Sequence, residues 1–138
     1  MAILPSNPII MRSRILICDD NDGDVYILLD TLKTVGLSFD YIRARDGAEA
    51  LGFLTGPVGF DLVILDQWLP RMSGLEVIQA LRSKGGFPDC PVVILTSGMG
   101  KERKELGALG VHTIFEKPLS LDGYLEIGES IAKLMLTV

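Results

Sequence analysis

Asp61-Leu62-Val63-Ile64-Leu65-Asp66 reads as a short buried strand that ends in a carboxylate. A continuous run of branched apolar residues suits a strand covered on both faces. Two other runs have the same form. Ile15-Leu16-Ile17-Cys18 stops at the adjacent carboxylates Asp19 and Asp20, and Val92-Val93-Ile94-Leu95 stops at the hydroxyl of Thr96. A shorter run, Thr113-Ile114-Phe115, leads into Glu116, Lys117 and Pro118. Were these strands parallel neighbours, three carboxylates, a hydroxyl and an ammonium would emerge at one edge of a sheet.

The intervening segments are helical in pattern. Strand one is Arg14–Cys18. Val25, Leu28, Leu29, Leu32 and Val35 then share one helical face, with Asp22 or Asp24 as cap and Gly36 as stop. Strand two, Phe39–Ala44, mixes polar and apolar residues, and Gly47–Leu54 is a short helix. After strand three, Leu75, Ile78 and Leu81 mark a helix capped by Ser73 and stopped by Gly85-Gly86. Helix four, Lys101–Leu109, is thin in apolar residues and contains Gly107. Helix five, Leu121–Met135, is the most apolar.

Strands alternating with helices predict an α/β fold. Arg43 in run two and the shortness of run five suit sheet edges. A doubly wound five-stranded parallel sheet of order 2-1-3-4-5, flavodoxin-like, satisfies this, with right-handed crossovers placing helices on both faces. Its topological switch point lies between strands one and three, beyond whose carboxyl ends such sheets bind ligands. Asp19, Asp20 and Asp66 belong there.

Composition narrows the function. The chain has 138 residues, 48% of them hydrophobic, enough for one core and too many for a disordered chain. Residues 1–12, with Pro5 and Pro8, read as an extended leader, and 13–138 as the domain. A net charge of −5 argues against nucleic acid or an anionic membrane as direct partner. Lys101, Arg103 and Lys104 read as a solvated helix face. No apolar stretch approaches the ~20 residues of a membrane span, and no signal peptide is visible. A cytoplasmic protein is expected. Cys18 and Cys90 then read as reduced thiols, and with His112 as the only histidine they supply too few soft ligands for zinc.

Crowded carboxylates repel one another unless a cation sits among them. Oxygen ligands suit a hard divalent ion, and Mg²⁺ is usual in phosphoryl transfer. An ionised Asp66 can attack a phosphoryl group to give an aspartyl phosphate. Mg²⁺ and Lys117 can neutralise charge on the transferring group, and Thr96 with the backbone amides near Gln67 and Ser97 can hydrogen-bond its oxygens.

These segments resemble the receiver domain of two-component response regulators. The resemblance covers Arg14–Met135. It rests on Ile15 through Asn21, Asp61 through Asp66 with Leu69-Pro70-Arg71-Met72-Ser73-Gly74, Pro91 through Ser97, and Phe115-Glu116-Lys117-Pro118. The resemblance implies that Asp66 is the phosphoacceptor and that Asp19, Asp20 and the backbone carbonyl of Trp68 join it in binding Mg²⁺, Asp20 more directly than Asp19. It implies that Lys117 pairs with the phosphoryl group, that Thr96 and Phe115 form a switch, and that the Lys117-Pro118 bond is cis. The implied donor is a sensor histidine kinase or phosphotransfer protein, because the chain lacks a nucleotide-binding glycine loop. The phrasing around Asp19–Val25 and Leu95-Thr96-Ser97 also resembles single-domain receivers that pair with phytochrome-type kinases.

Blander readings compete. A strand-end aspartate is often a helix cap or turn former. Thr96, Lys117 and Phe115 can be a strand terminator, a surface lysine and core. Asp22 and Asp24 are assigned to the first helix rather than to the metal. A scaffold without phosphorylation is one alternative function. An aspartate-based phosphatase would want an acid two residues after its nucleophile, where this chain has Trp68. A flavin module would want a phosphate loop where Asp19-Asp20-Asn21-Asp22 repels one. Trp68 and Gly98 form a pairing expected to shield an acyl phosphate. In helix five, Tyr124, Ile127, Ile131 and Leu134 exceed one buried face, which predicts a homodimer or partner site through helices four and five, or burial against the leader.

Overall fold

The computed structural model describes residues 12–136. Five strands, β1 (Ser13–Cys18), β2 (Phe39–Ala44), β3 (Leu62–Leu65), β4 (Val92–Thr96) and β5 (Thr113–Glu116), alternate with helices. The helices are α1 (Asp22–Thr34), α2 (Gly47–Leu54), α3 (Gly74–Ser83), α4 (Glu102–Ala108) and α5 (Leu121–Leu136). All strand pairs are parallel, in the order β2-β1-β3-β4-β5. The α/β doubly wound reading therefore holds, with element ends shifted by a residue or two. The expected leader lies, except for Arg12, outside the described residues.

Strand alternation splits the core in two. Leu16, Cys18, Val63, Leu65 and Ile94 point to one face, against Ala50 of α2, Val77, Ile78 and Leu81 of α3, and Leu106 of α4. Ile15, Ile17, Leu62, Ile64, Val93 and Leu95 point to the other, against Val25, Leu28 and Leu32 of α1 and Tyr124, Ile127 and Ile131 of α5. Burying each such aliphatic side chain contributes about 1.5–3 kcal/mol. This double coverage is why runs one, three and four carry no polar alternation.

Register brings the strand tips level. Cys18 pairs with Leu65, Leu65 with Ile94, and Thr96 with Glu116. The residues after β1 and β3, and those at the ends of β4 and β5, thus reach the same edge.

Three local expectations are corrected. Asn21, not Asp22 or Asp24, caps α1, its side chain accepting from the Asp24 amide at 2.9 Å. That leaves the Asp22 and Asp24 carboxylates available for cations. No cis peptide bond occurs among the described residues, so Lys117-Pro118 is trans. Tyr124, Ile127 and Ile131 are not surplus but buried, and Leu134 packs partly against them. This stripe of α5 packs both on α1 and on the sheet face formed by Ile15, Ile17, Ile64, Val93 and Leu95. Its exposed large apolar residues are Leu121 and Leu136. The cap at Ser73 holds and extends to a full capping box with Glu76.

The β3–α3 connection is held tightly. A Cβ on Gly74 would come within 2.8 Å of the Asp66 carbonyl oxygen, so only glycine allows that approach. Arg71 has φ of 71°, and the Met72 amide donates to the Pro70 carbonyl at 2.8 Å. A non-glycine residue in that region is strained by about 1–3 kcal/mol. The turn is braced by the Gly47 amide on the Pro70 carbonyl, 3.1 Å, and by Arg71 beside Asp46, 3.5 Å.

Candidate functional site

Asp66 follows β3, and its amide donates to the Cys18 carbonyl at 2.9 Å, which locks it beside the end of β1. Its Oδ1 accepts from the Trp68 amide at 3.2 Å. Asp19 follows β1 and accepts from the Asn21 amide at 2.9 Å. Asp19, Asp20 and Asp66 each place a carboxylate oxygen within 4.8 Å of the others. Asp19 and Asp66 are buried and Asp20 is exposed, so the trio opens to solvent on one side. All-oxygen, all-anionic donors fit a hard divalent cation such as Mg²⁺.

Lys117 enters from the end of β5. Its Nζ donates to Asp24 Oδ2 at 2.7 Å, lies 2.8 Å from Asp19 Oδ2, and reaches Asp66 Oδ2 at 3.2 Å. The lysine side chain is only 10% exposed. Burial pulls the ammonium toward deprotonation, but hydrogen bonds to Asp19 and Asp24 and the charges of Asp19 and Asp66 outweigh it. The group is held above an ordinary lysine pKa and stays charged. Burial likewise raises the Asp19 pKa, and the Asp66 charge adds to it; Lys117 and the Asn21 amide offset only part.

Thr96 is fully buried, and its hydroxyl makes a long 3.4 Å hydrogen bond to the Gly98 carbonyl. The Lys117 amide donates to the Thr96 carbonyl at 2.7 Å, tying the two residues through their backbones. Phe115 is half-buried beside a shallow cavity shared with His112, Ile131 and Leu134. Trp68 is half exposed, and its indole N–H donates to the Gly98 carbonyl at 2.7 Å. The ring therefore spans from the β3–α3 loop to the β4–α4 loop.

Asp19, Asp20, Asp66 and Lys117 thus gather as the strand pattern predicts, with Thr96 joined to Lys117 through the backbone. Three participants were not foreseen. Asp24 turns its carboxylate to Lys117 instead of serving only α1. Its spacing of four from Asp20, one helical turn, was the available signal. Arg43 reaches from β2 and donates twice to the Asp19 carbonyl, at 3.1 and 3.0 Å, while pairing with Asp22 at 2.7 Å. Its charge within a strand was visible but pointed only to an edge. Gln67 is buried, and its side-chain oxygen accepts from the Leu75 amide at 2.8 Å, pinning α3 to the strand that carries Asp66.

Known proteins share this layout. The polar-differentiation response regulator DivK of Brucella anthropi is 29% identical over 117 residues, 84% of this chain and 93% of that protein. The solved bacteriophytochrome response regulator AtBRR is 32% identical, with TM-score 0.69 over 93% of this chain and 96% of that one. The Mn²⁺-bound form of response regulator Rcp1 is 27% identical, with TM-score 0.76 over 91% of this chain and 96% of that one. The family described as "Response regulator receiver domain" matches residues 15–127. Strand order, acidic edge and family match agree, and the chain belongs to the receiver domains of two-component response regulators.

Proposed function

We propose that this receiver accepts a phosphoryl group on Asp66, in a Mg²⁺-dependent reaction, from a partner histidine kinase or phosphotransfer protein. The observation that carries this reading is the placement of the Asp66 carboxylate among Asp19, Asp20 and the Lys117 ammonium. An Asp66 oxygen attacks phosphorus as the bond from phosphorus to the donor imidazole nitrogen breaks. The leaving imidazole keeps the bonding electron pair and takes a proton. Asp19, Asp20, Asp66 and the Trp68 carbonyl would hold the cation, which when bound offsets negative charge on the phosphoryl oxygens. Lys117 offsets part of the remainder. The Thr96 hydroxyl, bound only at 3.4 Å, can exchange that contact for a phosphoryl oxygen. Phe115 then moves toward the space so opened, and the surface of α4, β5 and α5 changes as a population shift.

The Mn²⁺-bound state of Rcp1 supports a divalent cation, and the likeness to AtBRR supports a phytochrome-type kinase as donor. The cytoplasm is the compartment this reading requires. No helix among the described residues is long and apolar enough to cross a membrane. The exposed Leu121 and Leu136 favour a contact through α4 and α5, either a homodimer or a target protein. Light scattering that shows a monomer with and without a phosphoryl donor excludes the homodimer.

The decisive test is incubation with Mg²⁺ and acetyl phosphate, followed by intact mass. Wild type gains one phosphoryl group and Asp66→Ala gains none. Absence of labelling in wild type would end the proposal in favour of an unphosphorylated scaffold, and equal labelling of the two would refute Asp66 as the acceptor. The Trp68 indole, anchored on Gly98, shields the acyl phosphate from water. Its replacement, Trp68→Asn, shortens the phosphoryl lifetime; an unchanged lifetime refutes the shield.

A further inference from the structure

Lys117 has three ammonium protons and three carboxylates around it. Asp19 and Asp66 belong to the trio that fits a cation, and Asp24 does not. Yet Asp24 makes the shortest of the three contacts, 2.7 Å against 2.8 Å for Asp19 and 3.2 Å for Asp66. We propose that Asp24 is a positioning residue that shares the Lys117 ammonium with Asp19, holds it back from Asp66 and so leaves the Asp66 oxygens more available to a divalent cation. The inference rests on the proposed function and assigns a role to a residue outside its ligand set.

Asp24 is well placed for this. It sits on α1, not on a loop, and its amide is held by the Asn21 cap at 2.9 Å. An acidic residue in a first helical turn ordinarily needs no more account than the helix dipole. Asp22 shows what a neighbouring first-turn acid does here: exposed, it pairs with Arg43 at 2.7 Å and Arg45 at 3.0 Å. Asp24 instead meets a lysine 93 residues away in sequence, with a side chain only 10% exposed.

The competition is electrostatic. An ammonium and a divalent cation seek the same oxygens, and each contact held by Lys117 opposes metal entry. With Asp24 neutral, the ammonium is left to Asp19 and closes on Asp66, and the pocket also loses one negative charge. Both effects weaken cation binding, but they separate in a double-mutant cycle. The charge effect persists when Lys117 is replaced; the redistribution effect does not.

The experiment is calorimetric titration with MgCl₂ at fixed ionic strength of wild type, Asp24→Asn, Lys117→Met and the double variant. Lys117→Gln serves as a second neutral replacement should Lys117→Met fold poorly. Asp24→Asn is expected to raise the Mg²⁺ Kd about tenfold with Lys117 present and about threefold or less without it. Without metal, the Lys117 Nζ resonance should shift in Asp24→Asn. Equal weakening in both backgrounds, no weakening, or an unmoved Nζ resonance overturns the inference. Wild type that binds Mg²⁺ and becomes phosphorylated while the cycle shows no coupling removes this inference alone. Wild type that binds no Mg²⁺ removes the cation dependence of the proposed function with it.

Discussion

Helix α3 starts with a reciprocal cap between Ser73 and Glu76 and buries Gly74, Val77, Ile78 and Leu81. Helix α4 starts with no side-chain cap bond and buries only Leu106. The strands beside them differ in the same way. Every residue of β3 is buried, whereas β5 has three half-buried residues and one exposed. Surface polar contacts link α4 to the rest: Gln79 to Glu105 at 2.9 Å, the Arg82 guanidinium to the Leu109 carbonyl at 2.6 Å, and Arg103 beside Glu116 at 3.9 Å. Exposed pairs of that kind contribute about 0–1 kcal/mol each. The acidic edge is therefore carried by the firmly packed half of the sheet, and Thr96, Phe115 and Lys117 join it to the loosely packed half. The proposed switch needs this inequality. A chemical event on a rigid support can shift only what is not itself rigid.

The comparison can be broken in several ways. The largest effect is expected from Lys117→Ala, which leaves buried Asp19 and Asp66 without their cation. A loss of about 3 kcal/mol in urea unfolding at neutral pH, in EDTA, is expected. A loss below 1 kcal/mol would mean that the edge is less firmly built than its packing implies. Next, Leu81→Ala on α3 should cost about 2.5–3 kcal/mol of global stability. Leu106→Ala on α4 should cost about 2 kcal/mol, because the surrounding structure can collapse onto the gap. Reversal of that order would invert the argument. Hydrogen exchange sharpens it: amides of α4 should open at least about tenfold more readily than those of α3.

Smaller effects follow from caps and protons. Ser73→Ala removes half of the capping box and should cost about 1 kcal/mol by denaturant titration. Asp19 tests the sign of the pH dependence. Its folded pKa is raised, so the native state binds a proton more readily than the unfolded chain between the two values. Its contribution therefore turns unfavourable as pH rises through the folded pKa and is relieved as pH falls toward the unfolded value. Asp19→Asn should be more stable than wild type at neutral pH without metal, and the gain should shrink on acidification. A gain that grows on acidification would contradict the burial of this carboxylate.

Period and punctuation in the sequence determined most of this. Continuous apolar runs required strands covered on both faces, glycines and Ser73 bounded helices, and polar residues at run ends required a chemical edge. Those features are local, so they are legible in a linear string. The polar residue in run two marked one edge, and the strand order was consistent with it, but the order of the inner strands came from the family resemblance. Three things were decided only by tertiary structure. Asn21 took the cap of α1 and released Asp24 to a lysine that enters from β5. Arg43, read as an edge marker, curled back to hold the Asp19 carbonyl. The apolar stripe of α5, too wide on paper, was covered by α1 and the sheet together. In each case the outcome depends on which groups from distant segments arrive within about 3 Å, the range over which a hydrogen bond or ion pair is decided. Periodicity carries no information about that distance.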